Sequence, residues 1–352
     1  MSRRRGASGG AAFRRIRVGF ITPNLNCGGA ERWILSLCKH LPRDRIDVVG
    51  IFANGDGTLA PQARQITELY RMSAHTRIEE AHPMLHRCDV LLVWGVGNLN
   101  EIAWNYSGRV VAVSHGAPEL PWASLNGQLM QPYATHLAAV SEDAARIFTD
   151  GRPVEVIHNG AEADRAAPRR GRQRTRDALG LPADALVAYY GGRLSPEKRP
   201  WICRDLLDTL PHPWHAIIAG PNYAGVQIAP HPRLRLMQQF DSPGDYLAAA
   251  DVFVLPSLTE GFGIAMLEAM LAEVPIVCSH WPVVHELADV YGIHCTTVPV
   301  AASPAQWARA VLRATTPAAK AAAQDNRRVT WDRLTAPAMA EQWAAYIEWV
   351  MA

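Results

Sequence analysis

Two doubly wound α/β domains in tandem, facing each other across a central cleft, are the fold this sequence predicts, and three observations carry the prediction. The chain has 352 residues, about twice the roughly 150 of an ordinary domain. Its first half alternates short apolar runs with amphipathic stretches, the pattern of parallel strands with helices on both faces. The second half repeats that alternation after an arginine-rich stretch without apolar periodicity. Apolar residues make up 49% of the chain and charged residues 19%, so each half can bury a core and most of the length is too apolar for disorder.

Residues 1–15 are basic and rich in Gly and Ala, with no continuous apolar stretch of the kind a secretory signal needs, and are expected to be a disordered lead-in. Strands follow at residues 16–22, 46–53, 89–94, 109–114, 136–140 and 154–158, with helices at 31–41, near 62–70 and at 142–149. They make a first Rossmann-like domain over residues 16–158. A linker covers 159–180. Within it, residues 161–175 carry Arg169, Arg170, Arg172 and Arg174 without apolar spacing and are expected to be a solvated connector. The second Rossmann-like domain, 181–330, has expected strands at 186–190, 215–219, 234–237, 252–255, 276–278 and 293–296. Its helices lie near 200–210, 245–250, 262–272 and 283–288, and from 304 to the end. Trp331, Trp343, Tyr346 and Trp349 give the final stretch, 331–352, an aromatic face expected to pack as core.

Lys and Arg total 35 against 33 acidic residues, so nothing suggests a nucleic-acid partner. No apolar run approaches the roughly 20 residues of a membrane-spanning helix. Peripheral contact with a membrane stays open. Cys27, Cys38, Cys88, Cys203, Cys278 and Cys295 form no C-x-x-C pair and read as free thiols in a reducing cytoplasm. Lysine occurs only at Lys39, Lys198 and Lys320, which makes each retained one a question.

Four groups sit where expected strands end, the edge at which such sheets bind ligands. Gly28 and Gly29, between the first strand and its helix, allow close backbone approach and leave helix N–H groups for an acceptor such as phosphate. His115 follows the strand 109–114, where a neutral imidazole could hydrogen-bond a sugar hydroxyl. Gly191 and Gly192 precede Arg193 and Lys198. Two cations on one short loop repel unless an anion lies between them, and a fork beside a compact charge suits a diphosphate. Last, Glu260, Gly261, Phe262, Gly263 and Ile264 open a helix that carries Glu268, again with amide groups at its positive end.

Glu260 and Glu268 are eight residues apart, or about 12 Å along a helix. That is too far to flank one glycosidic bond, so they suit distant parts of one extended ligand, with Glu260 near a reacting sugar and Glu268 near a ribose. A polyhydroxylated end, a doubly charged middle and a ribose-like end describe a nucleotide sugar. Asp-x-Asp, a common holder of a divalent ion under a diphosphate, is absent from the chain, so Arg193, Lys198 and a helix N-terminus would stabilise the departing group.

At these residues the chain resembles the retaining nucleotide-sugar glycosyltransferases of family four, which have the GT-B architecture. The likeness lies in Gly28-Gly29-Ala30-Glu31-Arg32, Val140-Ser141-Glu142, Ile157-His158-Asn159-Gly160, the run from Gly192 through Arg193 and Lys198 to Pro200, and Ala250 to Ser257 leading to Glu260 and Glu268. The resemblance implies that Arg193 and Lys198 grip the diphosphate, Glu268 holds the ribose, and Glu260 contacts the donor sugar beside the backbone of Gly261 to Ile264. It also implies that His115 meets the sugar from the other domain, with Gly28 and Gly29 near phosphate and acceptor. It further implies an acceptor-binding first domain and a donor-binding second domain, no required metal or cofactor beyond the donor as co-substrate, and a final helix crossing back to the first domain. One departure stands out: Trp281 to Glu286 is bulky where such proteins often carry Gly-Gly before a glutamate. The expected activity is cytoplasmic transfer of a hexose-type sugar to a hydroxyl on a small molecule, a lipid or a glycan. A GT-B sugar-nucleotide epimerase and a catalytically silent partner protein are the alternatives. Nucleobase, sugar, acceptor and oligomeric state are not readable.

Overall fold

The computed structural model describes residues 14–72, 83–96, 106–238 and 242–352. The expected lead-in, 1–15, lies outside them except for Arg14 and Arg15. Strands β1 (Ile16–Thr22), β2 (Ile46–Ala53), β3 (Leu69–Arg71), β4 (Val90–Val93), β5 (Arg109–Ser114), β6 (His136–Ala139) and β7 (Val154–Val156) form one sheet in the order β3-β2-β1-β4-β5-β6-β7. Strands β8 (Leu186–Gly191), β9 (Trp214–Ala219), β10 (Leu234–Met237), β11 (Val252–Leu255), β12 (Ile276–Ser279) and β13 (Thr296–Val298) form a second in the order β10-β9-β8-β11-β12-β13. Every pairing is parallel. Both orders reverse beside their first strand, and that reversal opens the crevice in which doubly wound sheets take ligands. Nearly continuous burial of strands such as Val90–Val93 and Trp214–Ala219 reflects helices on both faces.

Several elements differ from expectation. The stretch near 62–70 divides into a helix, Ala60–Ile66, and the edge strand β3, because Leu69 to Arg71 pair with Ile51 to Ala53. The helix at 142 ends at Ala145, and the last strand lies at Thr296–Val298 rather than 293–296. The C-terminal stretch is three helices, Pro304–Ala314, Pro317–Arg333 and Ala336–Met351, each restarted by a proline in its first turn, where the missing N–H costs nothing. Trp343 and Tyr346 are buried as expected, but Trp331 is 55% and Trp349 63% exposed. Helix Ala336–Met351 packs on the first domain: Met339, Trp343 and Ile347 share a core with Trp33, Ile34 and Leu37. The chain crosses between domains where Ala161 N–H donates to the Leu334 carbonyl and Ala336 N–H to the Ala161 carbonyl, both at 2.9 Å. A Cβ on Gly160 would fall 2.2 Å from the Thr335 carbonyl oxygen, so only glycine allows this crossing.

At the opposite end of the first sheet Asp89 accepts from the Arg17 backbone at 2.9 Å and its guanidinium at 2.9 Å, and from Arg14 at 2.5 Å. Burial alone would raise the Asp89 pKa, but these hydrogen bonds outweigh it and bring it down to about 2. A folded value below the unfolded one gives stability that is present above pH ~4 and lost as the pH falls toward 2. Asp89→Asn is therefore expected to lower the unfolding free energy by about 2 kcal/mol at pH 7 and by much less at pH 2. Urea melts at the two pH values would show it; equal losses at both would remove this account.

Candidate active site

The loops after β1, β8 and β11 meet in one cleft between the domains that opens to solvent. A wider lobe reaches His115, Trp94 and Trp122 of the first domain. The loop after β8 is fixed by backbone. Gly192 N–H donates to the Ala219 carbonyl at 3.0 Å and Leu194 N–H to the Pro221 carbonyl at 2.9 Å. The Tyr190 hydroxyl donates to the Arg193 carbonyl at 2.6 Å. A short 3₁₀ turn, Pro196–Lys198, then presents Lys198. Arg199 follows with φ 48, a left-handed conformation unusual for a residue with a side chain. Its guanidinium donates to the Pro256 and Val300 carbonyls at 2.7 and 2.6 Å and to Ser279 Oγ at 3.2 Å, which holds the turn against the ends of neighbouring strands.

The β8 and β11 loops are tied by Leu258 N–H donating to the Glu197 carbonyl at 2.7 Å. Across that tie Lys198 Nζ meets Glu260 Oε2 at 2.7 Å, both side chains largely buried. Ser257 Oγ donates to Glu260 Oε1 at 2.7 Å, and the Ser257 carbonyl accepts from Trp281 Nε1 at 3.0 Å. The bulky Trp281, which departs from the pattern of similar proteins, is thus a buried prop under the glutamate loop. The self-repulsion expected of Arg193 and Lys198 does not arise, because Lys198 pairs with Glu260 and Arg193 lies 3.8 Å from Glu197.

The helix expected from residue 262 begins at Ile264, after Gly263 in a left-handed conformation (φ 90), with no side chain capping its N-terminus. Gly263, Ile264 and Ala265 line the cleft, so their amide groups remain for an anion. Gly261 and Phe262 have other tasks than opening the helix. Gly261 packs on the first domain, where a Cβ would sit 2.1 Å from the His115 carbonyl oxygen, and its own carbonyl accepts from Ser141 Oγ at 2.7 Å. Phe262 turns into the core, its ring 5.6 Å from that of His158. Gly28 and Gly29 line the opposite wall; a Cβ on Gly29 would lie 3.7 Å from the Ile264 side chain, so two helix N-termini face each other.

Glu268 is 6% exposed and receives Arg165 Nε at 2.8 Å. Sequence reading missed Arg165. It stands in the stretch expected to be a solvated connector, where Arg169, Arg170, Arg172 and Arg174 are exposed as expected but helices Ala163–Ala166 and Arg172–Ala178 form; Arg176, just beyond that stretch, is buried at 4% exposure. No local signal marks Arg165, since its partner lies on a distant helix. Ser257 was also missed, its only signal being a place three residues before Glu260.

His115 sits between Trp33 and Trp94, with ring centroids 4.5 and 5.3 Å away. Burial pushes its pKa down to about 3, so the ring is neutral, and its Nε2 has no partner among the described residues. Glu31, in the first turn after the glycines, is buried, which raises its pKa, and its carboxyl folds back over Gly28. At the outer rim Glu286 accepts from His158 Nε2 at 2.6 Å and from Glu142 N–H at 3.0 Å, a further tie between the domains. Among the described residues the cysteines are free thiols, with Cys38, Cys88, Cys203 and Cys278 buried. No helix there is long and apolar enough to cross a membrane.

Comparison with known proteins places this geometry. Residues 186–316 match the family described as Glycosyl transferases group 1. Over 213 residues the chain is 28% identical to a D-inositol 3-phosphate glycosyltransferase of Streptomyces scabiei, covering 53% of this chain and 48% of that one. Its likeness to the protein of the same name from Mycobacterium tuberculosis is 29% over 181 residues, covering 46% and 37%. The chain spans about half the length of the curated relatives it matches. Among solved structures, Alr3699/HepE of Anabaena, in complex with UDP and glucose, superposes with a TM-score of 0.80 at 21% identity, over 95% of this chain and 100% of that one. Sucrose-phosphate synthase of Thermosynechococcus elongatus gives 0.77 at 16% identity, over 96% and 99%. At such identities these structures speak to the fold alone, which is GT-B.

Proposed function

We propose, for a chain that belongs to the family-four type of GT-B glycosyltransferases through a second domain of the Glycosyl transferases group 1, that it moves a hexose-type sugar from a nucleoside diphosphate to a hydroxyl acceptor in the cytoplasm. The observation that carries this reading is the Lys198–Glu260 pair at 2.7 Å, which lines one cleft with an uncapped helix N-terminus at Gly263 and the Glu268–Arg165 pair. In this reading the diphosphate lies on the amide groups of Gly263 to Ala265 between Arg193 and Lys198. Glu260 then accepts from a donor-sugar hydroxyl, neutral His115 hydrogen-bonds the sugar from the first domain, and Glu268 accepts from the ribose. The UDP and UDP-glucose complexes of the Anabaena protein support a nucleotide-sugar donor.

The proposed stereochemistry is retention. Glu260 and Glu268 are engaged by Lys198 and Arg165, and Glu31 is folded over Gly28, so in this reading the departing diphosphate itself serves as the base. The bond from the anomeric carbon to the phosphate oxygen breaks, the bond to the acceptor oxygen forms, and the acceptor proton passes to the departing phosphate oxygen. Attack then comes from the face that the diphosphate leaves. Charge stabilisation by Arg193, Lys198 and amide dipoles assigns the metal no necessary part.

Thermal-shift screening against uridine, guanosine, adenosine and thymidine diphosphates is expected to raise the melting temperature with at least one. No shift with any of them would sink the nucleotide-sugar reading. With the matching donor, NMR of the product is expected to show the donor's anomeric configuration, formed at an undiminished rate in excess chelator. An inverted product, or activity strictly dependent on Mg2+, would overturn the mechanism. Isomerised donor in the absence of any acceptor would point to an epimerase instead.

A further inference from the structure

Arg32 belongs to the glycine-rich motif, and no role above uses it. It lies in the first turn of helix Gly29–His40, at the positive end of the helix dipole, where a cation is disfavoured. It also lines the cleft together with Arg193 and Lys198, but from the opposite domain. The other cations around this cleft have carboxylates: Lys198 has Glu260 at 2.7 Å, Arg165 has Glu268 at 2.8 Å and Arg193 has Glu197 at 3.8 Å. Arg32 makes no ion pair with a carboxylate among the described residues, though its charge acts on the neighbouring Glu31 carboxyl; its hydrogen bond runs from Nη2 to Cys27 Sγ at 3.5 Å. A positive side chain placed against its own helix dipole, without an ion pair and facing Arg193, Lys198 and the Gly263 to Ala265 amide groups beside the already paired Glu260 and Glu268, is stabilised by an anion between the two walls.

We propose that Arg32 is a further diphosphate-binding residue, supplied by the first domain, so that a bound nucleotide ties the two domains across the cleft. This rests on the nucleotide-sugar reading. Arg193, Lys198 and the Gly263 to Ala265 amide groups hold the diphosphate from the second domain, and Arg32 meets its outer oxygens from the first. Only a ligand with phosphate engages both walls; a nucleoside alone stays on the second. Arg32 is thus a positioning residue that sets the closed geometry in which His115 reaches the sugar.

Calorimetric titration of the full chain tests this, first with the four nucleoside diphosphates and then with the tightest of them against its free nucleoside, for the unaltered protein, Arg32→Gln and Arg32→Lys. The expected result is a loss of about tenfold or more in diphosphate affinity for Arg32→Gln, in keeping with one lost charge-assisted hydrogen bond. Nucleoside affinity should be unchanged, the dependence on salt shallower, and Arg32→Lys partly restored. Small-angle scattering should show diphosphate-induced compaction in the unaltered protein and none in Arg32→Gln. Equal diphosphate affinity in Arg32→Gln, or a parallel loss for the nucleoside, would overturn the role of Arg32 alone. If the unaltered protein binds none of the four, the nucleotide reading itself fails and Arg32 falls with it. Should Arg32→Gln melt far below the unaltered protein, Arg32→Lys carries the test: retained charge must retain the preference for diphosphate over nucleoside.

Discussion

Lys198→Ala is expected to lower kcat/KM for sugar transfer by about 10² to 10³, the usual cost of removing one preorganised group from a developing anion. The loss should fall mainly on kcat, because charge on the departing diphosphate grows toward the transition state while much of the nucleotide is held elsewhere. The structure adds a second consequence that the loop sequence did not suggest. Glu260 keeps only Ser257 Oγ once Lys198 is gone, and its carboxylate is largely buried. Leaving such a group short of a partner costs about 1–3 kcal/mol, so a lower melting temperature should accompany the lost rate. Lys198→Ala combined with Glu260→Gln removes the stranded charge and should regain stability without regaining activity. Steady-state kinetics beside thermal melts separate the two effects, and unchanged turnover in Lys198→Ala would defeat the assignment.

The largest stability loss is expected from Trp343→Ala. Trp343 is fully buried in the helix that returns to the first domain and meets the Trp33 ring at 5.1 Å. Deleting a buried tryptophan typically costs about 3–5 kcal/mol. Its indole N–H has no partner among the described residues, which favours the lower end of that range. Trp331, 55% exposed on the preceding helix, is the matched control; Trp331→Ala should change stability by about 0.5 kcal/mol or less. Urea unfolding of both variants checks this. A similar small change in each would mean that the returning helix does not brace the first domain.

Strands β1, β2, β5, β10 and β11 lie where patterning places them; all but the edge strand β10 are largely buried, and such a strand announces itself as a nearly continuous apolar run. Ends were harder. Residues 62–70 look helical by spacing, yet their last part becomes a strand through pairing with β2, and the patterning of residues 304–352 hides two breaks at prolines. Of the expected site residues, Gly28, Gly29, Gly192, Arg193, Lys198, Glu260, Gly263, Ile264 and Glu268 line the central cleft, and His115 lines its wider lobe. Gly261 and Phe262 line that lobe beside it, and they also serve the contact between domains and the core. Arg165 was hidden in an arginine-rich stretch whose solvated and buried members look alike in sequence.

By itself, then, the sequence determined that two parallel sheets form and that glycines, cations and carboxylates stand at their strand ends, because periodicity and turn chemistry act between near neighbours along the chain. Tertiary structure alone decided which charge meets which: Lys198 with Glu260, Arg165 with Glu268, and Arg32 with none among the described residues. The same holds for His115, kept neutral by burial in a place where tryptophans from separate segments meet its ring. Those outcomes depend on sheet order and on how closely two domains approach, which bring together residues far apart in sequence where water is partly excluded and a charge must find a partner.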